Sequence, residues 1–377
     1  MNALEELTKI ASDLKNPAIK EWQENGGKVM GFVCGYIPEE IFYAAKILPY
    51  RIRGTGCTST GDADEYMSHY TCSAARAYWQ FIVEGKYDFL DGIVFSKTCD
   101  LVRRVYDLVT VYKPTTFSFM HFLQVPHKCN DESAEFFKGD LVKLKESVEK
   151  SFGVEITEAN LRNAIDVYNE SRSLLKKLYE LRQKENPPIT GTECLNVILA
   201  GMSMPKDKYN QLLKRLLTEL SGRKVISDDK ARLMIAGSGG CDNPEYFQLI
   251  EDLGGLIVTD SVCFGSRYFL EPVETEGDLM LNIARRYLKR PACAKMADQV
   301  VERNNFIEEM VKQYKVDGVI FEVIRNCQLW AGQLLLTGRR FKESNVPLLV
   351  LDREYVLGDT GQLKTRVEAF IETIKGV

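Results

Sequence analysis

The chain has 377 residues, 45% of them hydrophobic and 27% charged, with a formal net charge of −4. That is length for two or three domains and a full core. It leaves no basic excess for a polyanion partner and no run near the roughly 18 apolar residues of a membrane span.

Residues 2–24, rich in Glu, Lys and Leu, predict a helix, and 1–26 are assigned to it. No basic stretch precedes an apolar core there, so a secretory signal is not expected and the cytoplasm is the expected compartment. "KVMGFVC" (28–34) predicts a strand, and "GYIPEEIFYAAKIL" a helix with Pro38 and two glutamates in its first turn. "YRIRGTGC" (50–57) predicts a second strand. A helix over about 73–84, a strand at 91–96, a helix over about 100–110 and a strand at "TTFSFM" (115–120) follow. This strand–helix alternation, over 27–128, marks a parallel α/β domain. From 129 to 224 apolar residues recur at helical spacing with charged faces between them, a helical insert broken at "NPPITG" (186–191). Alternation resumes over 225–377, with strands at 231–241, 256–263, 315–327 and 346–352. The fold class is α/β: two pseudo-repeated parallel-sheet, Rossmann-like domains, a helical insert, and a site in the cleft between the domains.

There are ten cysteines and three scattered histidines, His69, His121 and His127. An isolated cysteine is most simply a small buried hydrophobe. Here, however, eight of the ten fall into matched positions in the two halves. "DGIVFSKTC" and "DGVIFEVIRNC" each carry Asp-Gly before a buried strand, with Cys99 and Cys327 seven and nine residues after Gly92 and Gly318. A helix precedes each strand and is expected to begin at a cysteine, Cys72 or Cys293. The strands before those are expected to end at Cys57 and Cys263, and Cys34 pairs with Cys241 ahead of "GYIPEE" and "DNPEY". Core filler has no reason to match across halves; ligands at the carboxyl ends of parallel strands do. Helix N-termini also favour thiolates. Zinc would gather four thiolates in one shell, whereas iron–sulfur clusters accept ligands from separate segments. Two sets of three suggest two facing cubanes, with a single asymmetric site left open. Cys129 and Cys194 have no matched partners and are read as packing.

At these residues, including "YTCSAARA", "SKTCDLVRR" and "GDTGQLKTRVEAFIE", the chain resembles the benzoyl-CoA reductase and 2-hydroxyacyl-CoA dehydratase superfamily over nearly its whole length. In the dehydratases three cysteines hold one [4Fe–4S] cluster, which the resemblance places on Cys72, Cys99 and Cys327. The fuller cysteine set is closer to the double-cubane cluster proteins, whose six cysteines hold an [8Fe–9S] cofactor. That resemblance implies Cys57, Cys72 and Cys99 from one half and Cys263, Cys293 and Cys327 from the other, with Cys34 and Cys241 in reserve. It also implies low-potential, anaerobic reduction of small molecules by an iron–sulfur oxidoreductase. The electrons would come from a separate ATP-hydrolysing iron–sulfur activator; family members work as homodimers or heterodimers, and a homodimer is expected here. The lack of a GxxxxGK[ST] motif agrees with ATP being used on another chain. The other readings are a single-cluster component of a 2-hydroxyacyl-CoA dehydratase or benzoyl-CoA reductase, and an electron-transfer protein without its own substrate. Ser96, Lys97, Asp100, Arg103, Arg104, His69, Tyr70 and Arg325 lie near the ligand loops as candidates to protonate or position a substrate, or as ordinary loop residues. Gly237-Ser238-Gly239-Gly240 is a candidate phosphate cradle, on a weak signal.

Overall fold

The computed structural model describes residues 1–115, 117–223, 229–358 and 360–376. It opens with two helices, α1 (Ala3–Ser12) and α2 (Pro17–Glu24), where one is expected. Pro17 divides them, because the residue before a proline is driven out of the helical region. Asn16 then caps α2, accepting from the N–H groups of Ala18 and Ile19.

The first half runs β1 (Lys28–Phe32), α3 (Glu39–Ala44), β2 (Ile47–Arg51), α4 (Gly61–Asp64), α5 (Ser73–Val83), β3 (Gly92–Ser96), α6 (Asp100–Tyr112) and β4 (Phe119–Leu123). Its strands are parallel, in the order β2-β1-β3-β4. Four helices follow: α7 (Asp131–Phe152), α8 (Glu158–Leu181), α9 (Gly191–Gly201) and α10 (Lys206–Leu220). The second half runs β5 (Ala231–Gly237), α11 (Pro244–Asp252), β6 (Gly255–Ser261), α12 (Ser266–Phe269), α13 (Leu279–Lys289), α14 (Val300–Gln313), β7 (Gly318–Ile324), α15 (Gln328–Glu343), β8 (Leu348–Arg353) and α16 (Gly361–Lys375). Its parallel order, β6-β5-β7-β8, repeats the first. In both sheets the strand order reverses beside the first strand of the half, and the crevice beyond that point is where parallel α/β sheets build sites.

Three further elements differ from expectation. β2 covers Ile47–Arg51, earlier than 50–57, and Pro49 sits within it; β2 is an edge strand, where a missing N–H leaves no ladder partner unpaired. β4 starts at Phe119, later than 115, and Thr116 lies outside the described residues. The helix expected from Cys293 begins only at Val300. Pro291 closes α13, leaving Arg290 extended, and the chain turns twice before α14 starts. The boundary assigned at 224/225 falls outside the described residues.

The helices between the sheets do not form a core of their own. Leu141 and Leu144 of α7 are buried with Val94 and Phe119 of the first sheet and with Ile283 of α13. Leu195 and Ile198 of α9 are buried with Leu233 and Ile257 of the second sheet and with Leu7 of α1. Each half thus reaches into the other, and the two crevices are held facing one another.

Candidate functional site

Cys34 follows β1, and Cys99, after β3, is the N-cap of α6, so these two thiols flank the switch point of the first sheet. Cys72 is the N-cap of α5. From the second half, Cys327 is the N-cap of α15 just after β7, Cys263 lies two residues beyond β6, and Cys293 sits in the turn after α13. Electrostatic neighbours link all six of these thiols, four of them closing a ring to which Cys72 and Cys263 attach. Cys34 neighbours Cys99, Cys99 neighbours Cys327, Cys327 neighbours Cys72 and Cys293, and Cys293 neighbours both Cys34 and Cys263; Cys72 and Cys99 also face each other. Each half supplies three. Among the described residues no three His, Cys, Asp or Glu side chains close into the shell of a single metal ion.

Burial dominates the chemistry of these thiols. It pushes Cys72 up to about 11 and Cys99 and Cys327 up to about 12, and it raises Cys293, with Cys263 adding to the effect. Cys34 goes the other way. Burial opposes its ionisation, but the Arg51 charge, hydrogen bonds from Thr98 and Ser96, and the Tyr36 N–H together bring the thiol below its ordinary value.

The structure does not bring Cys57 to this ring. β2 ends at Arg51, six residues earlier, and a turn closed by Cys57 N–H on Gly54 O (2.9 Å) carries the chain away. Cys57 Sγ donates to Ser59 O (3.1 Å) near Glu84 and Lys86. Those residues stand at the far end of α5 from Cys72, and eleven helical residues span about 16 Å. The reserve Cys34 stands in the ring instead. The other reserve, Cys241, is fully buried and donates to Glu322 Oε2 (3.1 Å), whose Oε1 takes Arg353 at 3.0 Å. Cys129 donates to Leu288 O, and Cys194 accepts from Arg182.

Of the polar candidates, Ser96 is buried and 3.3 Å from Thr98 Oγ1, both beside Cys34. His69, Tyr70, Lys97, Asp100, Arg103 and Arg104 are exposed. The His69 carbonyl accepts from Asn326 Nδ2 (2.9 Å), which ties the loop before Cys72 to the loop before Cys327. Arg325 forms surface ion pairs with Glu354 (3.4 Å) and Asp352 (3.5 Å). The glycine turn after β5 is committed to packing. Gly237 has φ +116°, and a Cβ there would stand 2.0 Å from Glu322 O. Ser238 N–H donates to that carbonyl (2.9 Å), and Ser238 Oγ accepts from Ile324 N–H (3.1 Å).

Sequence reasoning missed the buried groups around the ring. Arg51, Arg267, Tyr36 and Tyr78 are buried beside it. Tyr36 Oη accepts the Cys293 N–H (3.3 Å). Lys295, two residues after Cys293, is pushed down to about 8 by burial, against the pull of Cys34, Cys293 and Cys99. Its position beside a matched cysteine was the available signal. Arg51 ends β2, and only a correct strand end would have shown it.

The profile of the 2-hydroxyglutaryl-CoA dehydratase, D-component, family matches residues 34–374. The chain belongs to this family. It is 27% identical to one of the subunits of benzoyl-CoA reductase from Thauera aromatica, over 97% of this chain and 96% of that one. It is 28% identical to a protein named as a dehydratase subunit, YjiM, of Escherichia coli K12, over 94% of each. It is 24% identical to the beta subunit of (R)-2-hydroxyglutaryl-CoA dehydratase of Acidaminococcus fermentans, over 98% of each. As a member of this dehydratase and reductase family the chain is an enzyme component. Among the described residues no helix is long and apolar enough to cross a membrane.

Proposed function

We propose that this family member is the iron–sulfur component of a low-potential reductase, carrying a double-cubane [8Fe–9S] cluster on Cys34, Cys72, Cys99, Cys263, Cys293 and Cys327. The observation that carries the reading is the group of six neighbouring thiols, three from each half, placed after strands or at helix starts. The donor set suits such a cluster: thiolates are the ligands of iron–sulfur centres, and ligands to different irons stand farther apart than the shell of one ion. Three of the six cap helices, whose first-turn N–H groups favour negative sulfur. When bound, the group supplies low-potential electrons; the chain's residues hold it, shield it from water and place Ser96 and Thr98 beside Cys34.

The electrons come from a separate ATP-hydrolysing iron–sulfur activator, and the working form is a cytoplasmic homodimer acting on a small molecule. The relatives named as CoA-ester dehydratases and a benzoyl-CoA reductase favour a second reading, one [4Fe–4S] cluster on Cys72, Cys99 and Cys327.

Iron and acid-labile sulfide per chain, on protein purified without oxygen, test both. About eight irons support the paired cubanes and about four the single-cluster reading. Protein that stays iron-free after anaerobic reconstitution returns the ring thiols to packing.

A further inference from the structure

Arg51 and Arg267 are buried, at 7% and 2% exposure, yet among the described residues neither has a carboxylate in ion-pair range. Among the other buried arginines, Arg172 pairs with Glu40, Arg353 with Glu322 and Arg76 with Asp64, while Arg182, Arg286, Arg290 and Arg303, without a carboxylate, each make two or more side-chain hydrogen bonds. Arg53, which also lacks a carboxylate, donates instead to Ala11 O and Asp13 O at the carboxyl end of α1, where the helix dipole is negative. Arg51 has no side-chain hydrogen bond among the described residues and lies 5.0 Å from the Phe264 centroid and 5.5 Å from that of Phe32. Arg267 lies 4.8 Å from the Trp330 centroid and makes one hydrogen bond, from Nη2 to Gly237 O at 3.2 Å. Nε and Nη1 of both guanidinium groups are buried and unpartnered, as they are in Arg53, whose Nη2 is however held by two carbonyls. Buried donors without acceptors are rare in folded proteins and call for a partner that completes them, and a buried lone cation is costlier still.

Both stand at the thiol ring. Arg51 lines a narrow cavity with Cys263 and with Gly35, the neighbour of Cys34. Arg267 lies four residues after Cys263 and within electrostatic reach of Cys263 and Cys293. Each goes with the edge strand of its half, though not at matched positions: Arg51 ends β2, whereas Arg267 lies in α12, six residues beyond the end of β6.

We propose that Arg51 and Arg267 are fixed counter-charges for the anionic cofactor held by the thiol ring, one contributed by each half. This rests on the cluster reading above. A cation held in a dry site favours the more negative state of its neighbour, so the pair raises the cluster's reduction potential relative to the same ligands without them. An apolar side chain of similar length removes the charge and leaves the packing, and in iron-free protein such a replacement is neutral or stabilising.

The test uses Arg51→Met, Arg267→Met and Arg51→Lys in the full chain. Reconstituted protein is titrated with a one-electron donor such as Ti(III) citrate, and the reduced cluster is read by electron paramagnetic resonance. Each methionine variant is expected to lower the reduced-to-oxidised ratio at a fixed potential at least about tenfold, which is about 59 mV for one electron. Arg51→Lys is expected to keep the parent ratio, because it keeps the charge. Iron-free methionine variants are expected to melt no lower than the iron-free parent. Iron-loaded methionine variants with unmoved potential overturn the counter-charge role and leave the cluster reading standing. Iron-free variants that melt far below the parent make the arginines structural and overturn it too. A parent that takes up no iron overturns both.

Discussion

Arg172 of α8 closes a buried ion pair on Oε1 of Glu40, in the first turn of α3. Tyr287 of α13 donates to the other carboxylate oxygen at 2.8 Å. One carboxylate thus joins the first sheet, the helices between the sheets and the second half. Glu40→Gln strands the guanidinium in the interior and is expected to cost about 3–5 kcal/mol. Urea unfolding of the iron-free chain reads this as a lower midpoint with an unchanged slope.

The same pair sets a pH dependence. Burial works against the Glu40 carboxylate, but the charges of Arg172 and Arg286 outweigh it and hold the group below its ordinary value of 4.5. A carboxyl depressed on folding stabilises the native state above its unfolded value and loses that contribution as pH falls through the folded value. The stability gap between wild type and Glu40→Gln is therefore expected to stay constant from pH 7 to about 5 and to close only below it. Denaturation at a series of pH values checks the sign; a gap that widened in acid would contradict it.

Cys34 and Cys57 separate two versions of the ligand set. Cys34→Ala is expected to lower iron per chain and change the absorption of the reconstituted cluster. Cys57→Ala is expected to leave both unchanged, because its thiol faces Ser59 at the other end of α5. Equal iron loss in the two variants would restore Cys57 to the set.

Gly237 carries a conformational demand that no other residue meets cheaply. Its φ of +116° disfavours any side chain, and a Cβ would stand 2.0 Å from the Glu322 carbonyl. Gly237→Ala is expected to lose more than the roughly 1–3 kcal/mol of a strained backbone alone, since the clash falls on β7 itself. Thermal unfolding of the full chain measures it.

The repeat was legible because strand–helix alternation and buried apolar runs are local, and so the α/β class and most of the elements could be read directly. Cysteine matching across the halves marks eight thiols, Cys34 and Cys57 alike, and does not by itself choose between them. Cys57 was chosen over Cys34 because the strand was expected to run through Tyr50–Cys57, which puts Cys57 at its end. The real β2 contains Pro49, which speaks against a strand until it is known to be an edge. Edge position depends on strand order, a long-range property. Arg51, Arg267 and Tyr78 were hidden for the same reason: a buried arginine and an exposed one look alike until the fold decides which is which.

The ring draws on both sheets, and its last member, Cys327, lies close to the end of the chain. During synthesis the first sheet is complete on the ribosome long before α15 exists. On the cluster reading, a cofactor that needs thiols from both halves would be completed only after both sheets exist. Under the proposed function, iron and sulfide would then be delivered late, to a chain whose two halves have already met.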